Sequence, residues 1–219
     1  MERLTELFNK HWSDKGTIRD EGHGYGEYYD RVFSKYKNPT ILEIGIQSGG
    51  DIKAINEYYN GECAIYGIDI DPLCVKTEKD VNTFKFFCFD AGNPQNLIEF
   101  KETEIKDIMF DIIIDDGSHL WKDQMITMAY LCDKIKPEGV YIIEDLHSSL
   151  IRWDIDKRYS NAKQSPLFCL IERLGNESLT EDENNMWLSR LRDVILVNKY
   201  NHKTQSNSSV TSFLKFEQQ

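Results

Sequence analysis

Phe110-Asp111-Ile112-Ile113-Ile114-Asp115-Asp116-Gly117-Ser118-His119-Leu120-Trp121 decides the reading of this chain. Ile112, Ile113 and Ile114 are consecutive and β-branched, the pattern of a central parallel strand covered on both faces. The run stops abruptly at two carboxylates, a glycine and a histidine. In open α/β sheets, ligands bind beyond the carboxyl ends of the strands. A second apolar run, residues 140–143, ends in Glu144 and Asp145. Neighbouring strands lie about 4.8 Å apart, so Asp116, Glu144 and Asp145 are expected to share one cation. An all-oxygen donor set favours a hard ion, most simply Mg2+, with positions left open for substrate oxygens and water. The plainer alternative is that Asp115 or Asp116 caps the next helix and Glu144–Asp145 is a solvated strand end.

His119 follows Asp116 by three residues, beyond the Gly117 turn, so it can face the same space. An unperturbed imidazole titrates near pH 6.5, which suits a general base at neutral pH. The other reading is a structural histidine. His147 repeats the spacing after Glu144 and is a weaker candidate, for substrate contact or support of the metal ligands.

Outward from this stretch the chain alternates strand and helix. Strands are expected at 41–44, 64–68, 84–89, 110–114 and 140–143, with Pro137-Glu138-Gly139 as the turn into the last. Helices are expected at 51–59, after Pro72, at 94–100 and at 122–132. That alternation predicts a doubly wound parallel sheet. Before it, residues 1–38 read as two helices around a polar break at 13–24. After it, residues 165–174 and 181–191 read as helices, and 194–199 and 210–216 as two strands joined by a polar hairpin loop. One domain suffices for 219 residues: a helical cap at 1–38, a core at 39–149 and acceptor-side elements at 150–219. Arg152, Trp153 and Tyr159 would line the acceptor pocket, or else serve as core or surface residues.

The loop Glu43-Ile44-Gly45-Ile46-Gln47-Ser48-Gly49 follows the first strand and opens a helix. Glycines there let backbone approach a ligand near the positive end of a helix. The spacing does not match the GxGxxG of a pyrophosphate loop. Asp69 closes the second strand, where a carboxylate can accept both ribose hydroxyls. Asp71 precedes Pro72 and reads better as a helix cap. Asp90, after the third strand, can accept an adenine amino group or serve as a turn residue.

The formal charge of −11 argues against a nucleic-acid surface. No apolar run approaches the roughly 20 residues of a membrane span, and the first residues lack a signal peptide's apolar stretch. Five scattered cysteines, with no CxxC pair, read as packed thiols. A cytoplasmic protein is expected. The oligomeric state is left open, a homo-oligomer included.

Taken together, ExGxxxG after strand one, acids after strands two and three, and DDGSH after strand four resemble the class I S-adenosylmethionine-dependent methyltransferases, over about residues 38–146. That resemblance implies a Rossmann-like seven-stranded sheet of order 3-2-1-4-5-7-6, strand seven antiparallel. It implies S-adenosylmethionine as cofactor, with Glu43, Gly45, Gly49, Asp69, Asp90 and Asp115 on the cofactor side. DDGSH with IIEDLH is similar to the metal-dependent macrolide sugar O-methyltransferases, as is Ser13-Asp14-Lys15-Gly16 followed by His23, Tyr25 and Tyr29. Carried over, this gives Asp116, Glu144 and Asp145 as ligands of Mg2+ and His119 as the base. A sugar hydroxyl of a glycoside, nucleotide sugar or glycosylated metabolite would be the acceptor. Two other readings compete: methylation of a catechol-like diol, and a non-catalytic S-adenosylmethionine-binding regulator. Oxidation is disfavoured because no two-His-one-carboxylate set is evident.

Overall fold

The computed structural model describes residues 3–19, 22–146, 191–201 and 206–216, the last two segments as backbone only. The helices expected at 165–174 and 181–191 lie outside these residues, apart from Leu191, which is extended. His147, Arg152, Trp153 and Tyr159 also lie outside them.

Five parallel strands form the sheet: β1 (Thr40–Ile44), β2 (Ala64–Asp69), β3 (Phe84–Cys88), β4 (Phe110–Asp115) and β5 (Ile135–Ile143). Their order is β3-β2-β1-β4-β5. Among the described residues, six α-helices accompany them: α1 (Arg3–Lys10), α2 (Gly26–Phe33), α3 (Gly50–Tyr58), α4 (Lys76–Asp80), α5 (Pro94–Thr103) and α6 (Trp121–Leu131). Asn93 caps α5, its side chain accepting from Gln95 N–H at 3.0 Å, and Pro94 opens the helix where no N–H is needed.

Side-chain alternation splits the core into two layers. Ile41, Ile112, Ile114, Val140 and Ile142 face Leu4, Phe8, Tyr29 and Phe33 of α1 and α2, and Ile52 and Ile55 of α3. Leu42, Ile44, Ile113, Tyr141 and Ile143 face Leu97 and Phe100 of α5 and Met128 and Leu131 of α6. All these positions are buried, which explains the unbroken isoleucine run of β4.

One expectation is corrected. Pro137-Glu138-Gly139 does not precede the fifth strand; β5 begins at Ile135 and carries these residues as an irregularity. The step from Phe110 to Ile112 on β4 faces the step from Ile135 to Val140 on β5. Glu138 takes up the extra length with a φ of 60°, and its carbonyl accepts the Tyr36 hydroxyl at 2.7 Å. The excess is therefore a bulge, held within the strand by flanking pairs.

Candidate active site

The same alternation aims the acids. Glu43 shares its face of the sheet with Ile41, and Glu144 shares its face with Ile142, so both point toward α1–α3. Asp115 shares its face with Ile113 and points toward α6. The strand ends are in register: Ile44 pairs with Asp115, and Asp115 with Ile143. Asp116 N–H donates to the Ile44 carbonyl at 2.9 Å, and Glu144 N–H to the Asp115 carbonyl at 2.9 Å. The loops after β1, β4 and β5 are thus clamped edge to edge.

Gly45 is required by that closeness. Its φ is +88°, and a Cβ there would run into the carbonyl of Asp116. Gly49 caps α3 with a φ of +74°, with the Thr77 side chain against it. Beyond the loop, a crevice is lined by Ile44, Gly45, Asp69, Asp90, Asp115 and Thr127, among others. Glu43 and Gly49 are not among its lining residues.

Asp69 stands at the carboxyl end of β2. Its Oδ2 accepts from Ile46 N–H at 2.7 Å and Gln47 N–H at 3.1 Å, and its Oδ1 from Asp71 N–H at 2.8 Å. Burial alone would raise its pKa; the Asp71, Ile46 and Gln47 amides more than offset this and hold it below the usual aspartate range. Asp71 caps the short turn after β2 by accepting from Leu73 N–H at 2.9 Å. Asp90 accepts from Gly92 N–H at 2.8 Å while also lining the crevice. Asp115 accepts the Thr127 hydroxyl, and burial pushes its carboxyl up to about 6.

On the other side of Asp116, ligand atoms of Asp116, His119 and Asp145 all lie within 4.8 Å of one another. His119 Nε2 is 3.4 Å from Asp145 Oδ2. Glu144 faces inward instead. Its Oε1 accepts the Tyr29 hydroxyl and pairs with the Lys15 ammonium at 3.2 Å, and its backbone carbonyl accepts Gln124 Nε2 at 3.0 Å.

Lys15 is the residue whose burial and ion pairs the sequence did not disclose, although the family resemblance put its phrase near the cofactor site. It has no exposed surface, yet its Nζ is ion-paired with Asp116 and lies 3.1 Å from Asp51 Oδ2, 3.2 Å from Glu144 Oε1 and 3.9 Å from Glu43 Oε1. Burial works to lower its pKa, but Asp116, Asp51 and Glu144 outweigh burial and hold the ammonium well above an ordinary lysine. One cation cannot neutralise four carboxylates. Burial first, then repulsion from Asp51 at Glu43 and from Asp116 at Glu144, pushes those two acids up. Asp116 is raised to about 7, chiefly by burial, with Lys15 opposing the shift.

Backbone bonds deliver the lysine. His23 N–H donates to Asp14, Gly24 to Gly16 and Tyr25 to Lys15, at 2.7, 2.8 and 2.9 Å. Lys15 N–H donates to Ser13 Oγ at 3.0 Å, and that hydroxyl bonds Asp51 at the start of α3. The Ser13-Asp14-Lys15-Gly16 phrase and His23, Tyr25 and Tyr29 therefore act as one unit. Buried lysines are rare unless paired, so a lysine in a polar loop gives no sign of burial. The signal that could have exposed it is the parity of Glu43 and Glu144, which puts two buried acids on the face toward α1–α3, where a side-chain cation is needed between them.

No protein-family model matches the chain. In sequence it is similar to demethylmacrocin O-methyltransferase of Streptomyces fradiae, 29% identical over 195 residues, 82% of this chain and 46% of the relative. It is also similar to 8-demethyl-8-alpha-L-rhamnosyl tetracenomycin-C 2'-O-methyltransferase of Streptomyces olivaceus, 30% identical over 155 residues, 67% of this chain and 38% of the relative. The chain is a homologue of natural-product sugar O-methyltransferases. It spans less than half the length of these curated relatives. The fold of this homologue matches MycE methyltransferase from the mycinamycin biosynthetic pathway, solved in complex with Mg and SAH, with a TM-score of 0.74, 22% identity, and coverage of 99% of this chain and 54% of that one. It also matches an O-methyltransferase from Bacillus cereus in complex with SAH, with a TM-score of 0.63, 11% identity, and coverage of 98% and 91%. The class I methyltransferase fold is thereby shared. Among the described residues of the homologue, no helix is long and apolar enough to cross a membrane.

Proposed function

We propose that the chain is an S-adenosylmethionine-dependent, Mg2+-dependent O-methyltransferase acting on a sugar hydroxyl of a small glycosylated molecule. The observation that carries this reading is the juxtaposition at Asp116. A crevice lined by Asp69, Asp90 and Asp115 opens on one side, and the Asp116–His119–Asp145 group stands on the other. The names of the sequence relatives, all O-methyltransferases and several of glycosides, support the acceptor class.

The donor set suits a hard cation. Asp116 and Asp145 present carboxylate oxygens within 4.8 Å of each other, and Asp116 and Glu144 already share a cation in the form of the Lys15 ammonium. Asp116, Glu144 and Asp145 would hold the ion. Bound there, a divalent ion lowers the pKa of a hydroxyl it contacts and orients it. S-adenosylmethionine would supply the methyl group, its S–CH3 bond giving way to an O–CH3 bond with a neutral thioether left over.

The chain's own residues do the remaining work. Asp69 fixes the ribose end, the backbone at Gly45 lets the ligand approach β1, and Asp90 and Asp115 bound the crevice. His119 takes the acceptor's proton at Nε2, where the Asp145 carboxylate 3.4 Å away stabilises the resulting imidazolium. Holding both reactants at near-attack distance supplies much of the acceleration.

We also infer one domain, whose sheet is completed by β6 (Leu191–Asn201) and β7 (Ser206–Phe216) in the order 3-2-1-4-5-7-6. Antiparallel pairing of Tyr141, Ile142 and Ile143 with Leu214, Phe213 and Ser212 supports this. β6 runs on to Asn201 and β7 starts at Ser206, so both strands reach further toward the hairpin tip than the 200–209 loop expected from sequence.

The test is methyl transfer from S-adenosylmethionine with Mg2+ to a panel of rhamnosides and other glycosides, set against catechols, read by mass spectrometry. Methylated glycoside is the expected product. Methylated catechol alone would move the assignment to diols, and cofactor binding without turnover on any acceptor would favour the regulatory reading.

A further inference from the structure

The ammonium of Lys15 and the proposed metal ion claim the same carboxylates. Asp116 and Glu144, two of the three residues assigned to the ion, are the ones paired with Nζ. Asp116 also belongs to the Asp116–His119–Asp145 group, so it stands between the two cation positions. An ammonium and a divalent ion on one carboxylate repel each other strongly in a poorly solvated site.

The structure also shows where the ammonium can go. Asp51 Oδ2 is already 3.1 Å from Nζ. Both oxygens of Glu43 are buried with no hydrogen-bond donor on them among the described residues, and Oε1 lies 3.9 Å from Nζ. A lysine stem has freely rotating terminal bonds. The shift needs no backbone movement, so the Lys15–Tyr25 and Lys15–Ser13 hydrogen bonds remain intact.

We propose that Lys15 is a tethered cation that holds the acidic site in the metal-free protein and is exchanged for the divalent ion. The ammonium rests on Asp116 and Glu144 when no ion is bound, and withdraws onto Asp51 and Glu43 when the ion takes those ligands. Without such a placeholder, two buried carboxylates (Glu43, Glu144) and two partly buried ones (Asp51, Asp116) would face one another with no positive charge among them. With the ion bound, both cations remain in the cluster and the buried charge comes closer to balance. Lys15 is thus a positioning residue that acts through Asp116 and Glu144, and it limits metal affinity as the cost of a stable empty site. This inference rests on the metal reading above.

The experiment measures Mn2+ binding to the full chain by calorimetry and by the loss of free-Mn2+ electron paramagnetic resonance signal, without cofactor or acceptor. Wild type, Lys15→Met and Lys15→Arg are compared. Lys15→Met should bind Mn2+ about tenfold tighter or more, because the competing charge is gone. Lys15→Arg should bind no tighter than wild type. The melting temperature of ion-free Lys15→Met should fall below wild type, and Mn2+ should raise it by more than it raises wild type.

Should Lys15→Met not fold without metal, it is refolded with and without Mn2+ and followed by circular dichroism. Folding only with the ion supports the exchange. Failure to fold even with the ion overturns it, since the ion then cannot stand in for the ammonium. Equal or weaker Mn2+ binding by Lys15→Met, with wild-type binding intact, overturns the exchange and leaves the metal reading standing. No binding by either protein removes the metal reading and the exchange with it.

Discussion

His119 and Asp145 face each other across the ends of β4 and β5, Nε2 3.4 Å from Oδ2, and both hold left-handed backbone with φ of 58° and 54°. A non-glycine residue in that region costs on the order of 1–3 kcal/mol. Two such residues in contact beside Asp116 mean that packing fixes the imidazole–carboxylate geometry through the main chain. The preference of each side chain alone would not put it there.

His119→Asn separates chemistry from backbone. Asparagine tolerates left-handed conformation well but cannot accept a proton. Turnover should fall by about 10²–10⁴-fold, with cofactor affinity and melting temperature close to wild type. A rate within a few-fold of wild type would exclude His119 as the base.

Chelation tests the ion. Dialysis against EDTA should abolish methyl transfer, and Mg2+ should restore it, with the fold retained throughout because Lys15 continues to neutralise Asp116 and Glu144. Undiminished turnover in EDTA would remove the metal from the mechanism.

Asp69 links cofactor binding to pH. Its carboxyl is held below the ordinary aspartate range by three backbone amides, which more than offset burial. A pKa lowered in the folded state stabilises above the unfolded value, about 3.9, and that stabilisation is lost as pH falls through the folded value. Asp69→Asn should therefore be less stable than wild type at pH 7 in urea titrations, with the gap closing as pH falls below about 4. Calorimetry should also show weaker S-adenosylmethionine binding. A gap that does not change with pH would assign the effect to shape and not to charge.

Gly45→Ala should destabilise the protein by more than about 1 kcal/mol. The added methyl meets both a positive φ and the main-chain carbonyl of Asp116, which cannot turn aside. Gly49→Ala should cost less, because the side chain of Thr77 is what it meets. Equal denaturation midpoints for the two variants would show that β4 gives way near Asp116.

Much of this was legible from residues alone. Apolar runs located all five parallel strands: β-branched residues marked β1, β2, β4 and β5, and the aromatic stretch Phe84–Cys88 marked the partly exposed edge strand β3. Asp71 before Pro72 announced its cap. The acids at the ends of β4 and β5 announced a site. Pro137-Glu138-Gly139 misled, because a turn-forming triplet becomes a bulge where both neighbours pair with β4, and pairing is a property of the sheet. Lys15 was hidden for a related reason. Its burial depends on a contact more than a hundred residues away in sequence, at Asp116 and Glu144, and no local pattern carries such a contact. Glu144 likewise read as one of three equivalent acids, whereas strand parity turns it toward Tyr29 and Asp145 toward His119.

The short ladder joining residues 14–16 to residues 23–25 has a practical meaning for anyone trimming this protein. A chain shortened to start at Thr40 would keep every parallel strand and still look like a whole sheet on paper. It would, however, strip Glu43 and Glu144 of Lys15 and uncover the isoleucine face that α1 and α2 bury. Such a fragment should precipitate or swell at neutral pH, and its failure should not be mistaken for a fault in the sheet.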